Sequence, residues 1–235
     1  MSVFARLVEQ LASLLQPLCH ASAAAAAIVL FTALVRLLVH PLSRAAARGR
    51  RAQAALRPRL AELRTRHGKD PERLREAVAK LHAEEKVSPF AGLLPSLLQL
   101  PAFFLLYHLF SSTTIGGGSN GLLAHDLFGA PLGGRWADAL GAGGVFGAAG
   151  VVYLVLFAVV AAVATVNYRT TKRTAAENPV MTQEAEASVP GLGTVGKVMP
   201  FMSFLTLVTV AVVPLAAALY VVTSAAWSAA ERALL

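Results

Sequence analysis

The sequence predicts an all-α polytopic membrane protein: five transmembrane helices, with a basic helical hairpin between the first and the second. Three observations lead there. Only 14% of the 235 residues are charged, where a soluble domain has roughly 25%. The mean hydropathy is +0.59. Charge is also distributed unevenly: residues 43–88 hold thirteen of the twenty-one Lys and Arg, while long stretches elsewhere hold none. That pattern excludes an ordinary soluble globule.

Residues 1–20 read as an amphipathic helix lying in the membrane interface. Phe4, Leu7, Val8, Leu11, Leu14, Leu15 and Leu18 recur at helical spacing, and Arg6, Glu9, Gln10, Ser13 and Gln16 fill the other face. A signal peptide would show a basic start and an uninterrupted apolar core, so none is expected here. The single Cys19 builds no disulfide framework or metal site. The preceding Gln16-Pro17-Leu18 is a poor lipoprotein cleavage signal.

The first span covers 21–42, rich in Ala, Val and Leu and about long enough to cross the hydrocarbon. Residues 43–88 form the hairpin. Leu56, Leu60 and Leu63, then Leu74, Val78 and Leu81, recur every three or four residues. Gly68 ends the first arm; Asp70 caps the second, with Pro71 in its first position and Glu72 in its first turn. Pro58 should kink the first arm. The second span, 89–111, contains Pro95, Gln99 and Pro101. The Gly-rich segment 112–144 reads as an exposed loop, 145–167 as the third span, and 168–196 as a polar loop. The final apolar stretch is too long for one span, and Pro214 divides it into spans at 197–213 and 214–231. The alternative is one tilted, kinked helix.

Charge sets the orientation. The hairpin and the 168–196 loop carry sixteen of the twenty-one Lys and Arg, and the intervening loop holds only Arg135. The positive-inside rule places both basic segments in the cytoplasm of a cell membrane protein, with the N-terminus outside and the C-terminus inside. A pI of about 10.3 also raises nucleic acid as a partner. Here the charge reads as a topology signal, and no DNA is expected. Charge alone leaves open whether the hairpin face (Arg57, Arg59, Arg64, Arg66 and Lys69) also meets a ribosome or a Sec-type translocon.

Arg36 is the sharpest feature. A charge inside a span is costly, by roughly 2.5–3.5 kcal/mol on insertion scales, and faces a partner or a wet cavity. It could instead snorkel to the interface, about ten ångströms away by helix rise. Thr32 and His40, four residues to either side, make a polar stripe that favours a hydrophilic groove. Ser96, Gln99 and Tyr107 give the second span a similar stripe, which could equally serve helix-to-helix hydrogen bonding. Tyr220, Thr223, Ser224 and Trp227 do the same on the last span, where Trp227 alone suits the interface belt. No Ser/His/Asp set, carboxylate pair, phosphate loop or metal-spaced His/Cys cluster appears, so neither an enzyme, nor a cofactor, nor a metal is expected.

From residue 22 onward the sequence resembles the YidC/Oxa/Alb insertases. The resemblance is carried by Thr32-Ala33-Leu34-Val35-Arg36 in the first span, and by Gln53-Ala54-Ala55-Leu56-Arg57-Pro58 and Lys69-Asp70-Pro71-Glu72 in the hairpin. Its longest motif is Ser88-Pro89-Phe90-Ala91-Gly92-Leu93-Leu94-Pro95-Ser96-Leu97-Leu98-Gln99-Leu100-Pro101-Ala102-Phe103-Phe104-Leu105-Leu106-Tyr107. Asp126-Leu127-Phe128-Gly129, Met199-Pro200-Phe201-Met202 and Pro214 with Leu219-Tyr220 extend it. Leu93, Ala216 and Ala225 depart from the family pattern. The resemblance implies a short form, without the large extracytoplasmic domain of some members.

It also implies five helices around a hydrophilic groove, open to the cytoplasm and to lipid and closed outside. Arg36 and Thr32 would then receive polar parts of nascent membrane proteins while the apolar helix slides into the lipid bilayer. Gln99, Ser96, Tyr107 and Tyr220 would line the same groove. Two other classes stay open: a small anion transporter or channel, which would normally show repeated halves, and a membrane scaffold, which would not need Arg36.

Overall fold

The computed structural model describes residues 2–68, 70–88, 97, 100–115, 117–176 and 199–234, and the chain is mostly helical throughout them. It divides into two compact units, one of residues 1–36 and 105–234, the other of residues 37–104. Among the described residues two helices are long and apolar enough to cross a membrane, the ones starting at Ala23 and Ala148.

In the first unit, α1 (Ser2–Cys19) has three faces. Ala5, Val8 and Ala12 are buried in the core, and Phe4 meets Phe31 edge-to-face at 6.5 Å. Val3, Leu7, Leu14 and Leu18 remain exposed on one stripe. The polar residues occupy the rest. The apolar sector predicted from spacing is thus shared between the core and the surroundings.

The helix α2 (Ala23–His67) runs through the expected boundary at 42–43 and through Pro41 and Pro58. The composition changes there, but Ala, Arg and Leu are all good helix formers, and the helix continues although each proline lacks the N–H for its own ladder bond. The second apolar segment contributes α4 (Leu100–Ser111). Its end is tied down by the buried Asn120, whose side-chain nitrogen donates to the carbonyls of Leu109 (2.8 Å) and Ser112 (2.9 Å). Those carbonyls have no partner within the helix.

The segment expected to be a loop, 112–144, is ordered. Strands β1 (Thr114–Ile115) and β2 (Gly118–Ser119) pair antiparallel, as do β3 (Asp126–Leu127) and β4 (Ala130–Pro131). The Phe128-Gly129 turn between β3 and β4 takes φ of 50° and 83°, the left-handed pair of a two-residue hairpin. Then α5 (Trp136–Gly143) follows, its N–H at Arg135 donating back to Asp138 Oδ2 at 2.8 Å. Composition suggested a loop because Gly is frequent. The turns and the cap that order it are local side-chain events too short for periodicity to reveal.

Helix α6 (Ala148–Ala176) holds the third apolar stretch and continues through 168–176, past the expected start of a loop. At Gly150 an added Cβ would lie 2.4 Å from the carbonyls of Gly144 and Val145, so glycine is required where the incoming chain folds over the helix. Trp136 packs against Tyr153 at a tilt and against Phe157 edge-to-face, with ring centres 5.6 and 5.3 Å apart, and clamps α5 to α6. The last stretch is broken as expected: a 3₁₀ segment Met199–Phe204, α7 (Leu205–Val212), then α8 (Leu215–Leu234), with Val213-Pro214 between. The first amides of α8 have no helical partner. Here Leu215 N donates to Gly134 O and Ala216 N to Leu132 O, both at 2.9 Å, and Tyr153 Oη donates to the same Gly134 O at 2.7 Å.

The second unit contains the later part of α2, then α3 (Pro71–Glu84). Asp70 accepts from the amides of Glu72 and Arg73 at 3.2 and 3.1 Å, the cap expected from the sequence. At Gly68 a Cβ would meet Arg64 O at 2.6 Å, so close approach, not a left-handed backbone, selects glycine. Leu56 and Leu81 are buried, one on each arm, and Gln53 Nε2 donates to Ser88 O at 3.3 Å.

Removing the cap tests how far it holds the hairpin. Asp70→Ala is expected to cost about 1 kcal/mol and to speed amide exchange at Glu72 and Arg73, while Asp70→Ser stays near wild type. Unchanged exchange in the alanine variant would place the stability of α3 elsewhere.

Candidate functional site

Small residues bring α2 and α8 close to the core. Ala24, Ala25, Ala27 and Ile28 are buried on α2, and Leu215, Ala216, Ala217 and Ala218 on α8. Small side chains let helices approach closely in apolar surroundings. Thr32 and Arg36 follow Ile28 at four-residue steps and so lie along one face.

Thr32 is fully buried, and its hydroxyl donates to Ile28 O at 2.7 Å. In this conformation its proton is used within its own helix. One turn on, Arg36 reaches α8. Its Nε donates to Ser224 Oγ at 2.8 Å, and Nη2 donates to the same oxygen. Ser224 is 4% exposed. It is also a hydrogen-bond partner of Tyr220, one turn earlier on α8. A hydroxyl oxygen has two lone pairs and one proton. With two guanidinium N–H groups on its lone pairs, Ser224 has its own proton left for the Tyr220 oxygen. Tyr220 is 2% exposed and packs on Phe110 at 5.8 Å between ring centres. The result is a relay, Arg36 to Ser224 to Tyr220, built between two helices. Glu231, further along α8, is an electrostatic partner of the guanidinium.

The structure therefore brings together Arg36 and Tyr220 among the residues singled out in the sequence. Tyr107 is partly buried against the core on α4. Ser96 and Gln99 lie outside the described residues. Trp227 differs from the expected interface-belt residue: its indole nitrogen is buried and has no hydrogen-bond partner among the described residues, whereas a belt tryptophan turns its N–H toward water. Sequence reading placed Ser224 on a polar stripe without assigning it to Arg36, and it passed over Glu231. The signal was present: 220, 224, 227 and 231 share one helical face.

In the second unit, Arg57, Arg59, Arg64 and Arg66 lie on the first arm, and Lys69 lies outside the described residues. Arg59 pairs with Glu85, and Arg66 Nη2 with Glu62 Oε1 at 2.7 Å. Exposed pairs of this kind contribute about 0–1 kcal/mol, so they orient the basic face more than they stabilise the arm. Among the described residues no group of His, Cys, Asp and Glu could hold a metal ion.

The chain matches the family model described as 60Kd inner membrane protein over residues 15–235. It is similar to proteins named membrane protein insertase YidC. With that of Magnetococcus marinus it is 42% identical over 81 residues, 34% of this chain and 15% of that protein. With that of Paraburkholderia phytofirmans it is 40% identical over 101 residues, 43% of this chain and 18% of that protein. With that of Shewanella woodyi it is 43% identical over 82 residues, 35% of this chain and 15% of that protein. These matches span less than a fifth of the length of each relative.

Ser224→Ala removes the acceptor of two guanidinium donors. Hydrogen bonds to charged groups contribute about 1.5–3 kcal/mol, and a loss of that size is expected in thermal unfolding of the protein in lipid. Ser224→Thr, which keeps the hydroxyl, should unfold close to wild type. An unaltered melting temperature for the alanine variant would mean that another group satisfies Arg36.

Proposed function

This chain belongs to the 60Kd inner membrane protein family, the YidC/Oxa/Alb family its motifs resemble, and from that premise we propose that it is a membrane protein insertase and chaperone. It moves hydrophilic segments of nascent membrane proteins part-way across the bilayer through a polar groove and releases their apolar helices into lipid. The observation that carries this reading is the guanidinium of Arg36, held inside an apolar helix by a serine of another helix.

The physical logic is short. Carrying a polar segment across about 30 Å of hydrocarbon is unfavourable. A wet groove of partial depth shortens the dry path, and a fixed positive charge at its end attracts acidic groups. Burial of the substrate's own apolar helix then supplies the free energy, at roughly 25 cal/mol per Å². Ser224 and Tyr220 keep the guanidinium from folding away. Thr32, Ser96, Gln99 and Tyr107 would line the rest of the groove. In this reading five spans cross the cell membrane, the N-terminus is outside, and both basic segments face the cytoplasm. The arginines of the hairpin, with Lys69, then face the compartment that holds ribosomes and the cytoplasmic side of a translocon.

The test is insertion into liposomes that contain the purified protein, read as protease protection of a substrate's hydrophilic tail. Arg36→Ala should lower the protected fraction roughly tenfold, the effect of about 1.4 kcal/mol on a rate, and Arg36→Lys should retain part of it. Full activity in the alanine variant would favour a scaffold. Orientation is read separately: Leu234→Cys in a Cys19→Ser background should react with an impermeant thiol reagent only from the cytoplasmic side, and labelling from outside would reverse the topology.

A further inference from the structure

Ser224 satisfies donors of Arg36 but cannot neutralise its charge. A guanidinium inside a span calls for a counter-charge or water. The helix that supplies Ser224, α8, carries one carboxylate, Glu231. Its place follows from helix geometry. Tyr220, Ser224, Trp227 and Glu231 stand at i, i+4, i+7 and i+11 of α8 and share one face. Glu231 lies two turns beyond Ser224, about 10 Å along the axis at 1.5 Å per residue. The azimuth of this end is held by the next residue, Arg232, which donates to Asn167 Oδ1 on α6 at 2.8 Å. In the topology proposed above, Glu231 stands between Arg36 and the cytoplasmic mouth. An entering segment passes the carboxylate before it reaches the guanidinium.

We propose that Glu231 is a specificity-determining residue: a resident counter-charge to Arg36 that acidic groups of an incoming segment must displace. This deepens the insertase reading and rests on it. A neutral tail meets the relay without competition. An acidic tail is attracted by Arg36 and opposed by Glu231, so it is bound reversibly and not trapped. One unit charge at about 10 Å, with an effective dielectric near 20, alters the occupancy of a competing carboxylate by on the order of tenfold.

Two measurements on the whole protein in lipid nanodiscs test this. The first needs no substrate. Phenylglyoxal modification is followed at Arg36 by mass spectrometry, with Arg135 as the internal control. Glu231→Gln should raise the rate at Arg36 severalfold and leave Arg135 unchanged, and Glu231→Asp should stay near wild type. An unchanged rate at Arg36 overturns the counter-charge. The second uses a photo-crosslinker at position 223 and stalled nascent chains whose tails differ only in three Asp against three Asn. Glu231→Gln should raise the ratio of acidic to neutral capture on the order of tenfold. A changed modification rate with an unchanged capture ratio leaves Glu231 a structural partner and overturns its role in specificity. Capture of neither tail by the wild type overturns the insertase reading and that role together, while the modification rate still decides the counter-charge.

Discussion

A guanidinium within an apolar helix must be answered from inside the protein, and much of the first unit is arranged around that requirement. Arg36 needs acceptors at a depth where lipid offers none. Ser224 supplies one, but only because the turn at Pro214 starts α8 where its buried face, Leu215 through Ser224, runs along the core. That turn has its own requirement. A helix that begins in apolar surroundings presents unpaired amides, and the carbonyls of Leu132 and Gly134 accept two of them. The order of the 112–144 segment is therefore a condition of the site.

The same dependence explains the aromatic cluster of Trp136, Tyr153 and Phe157. It fixes α5 on α6, and Tyr153 donates to the Gly134 carbonyl that also receives Leu215. A carbonyl oxygen has two lone pairs, and both are engaged. Three segments distant in sequence are joined at one atom. Asn120 does comparable work at the end of α4, where its amide closes two carbonyls. Both devices belong to a membrane protein's shortage of water: every backbone group near a helix end needs a named partner.

What the sequence disclosed follows from the range of its signals. The proline break at 214 and the Asp70 cap are local, and both appear where spacing and residue type put them. The charge pattern pointed to Arg36 because an isolated cation in an apolar run is conspicuous. Its partner was less legible. Ser224 is one of several small polar residues on the last helix, and only the reach of the Arg36 side chain to it selects it over Thr223 or Ser228. The extent of α6 was misjudged because Arg169, Lys172 and Arg173 read as polar loop, although all three residue types suit a helix. The 112–144 segment was misread because Asn120, Asp138 and Tyr153 act through single hydrogen bonds that leave no periodic trace.

The two ends of α8 are held very differently. At Leu215 the backbone is bonded twice to a neighbouring segment and the side chains from Leu215 to Ala218 are wholly buried. Towards the far end Arg232 donates to Asn167 Oδ1 through an exposed side-chain bond, and Leu234 is 86% exposed. Such a helix behaves as a rod clamped at its base: a small tilt barely moves the clamp but displaces the tip by an amount that grows with length. Ser224 sits near mid-length and Glu231 near the tip, so one tilt shifts the carboxylate further than the hydroxyl. Geometry of this kind can separate the two partners of Arg36 in sequence, the charge first and the hydrogen bond later.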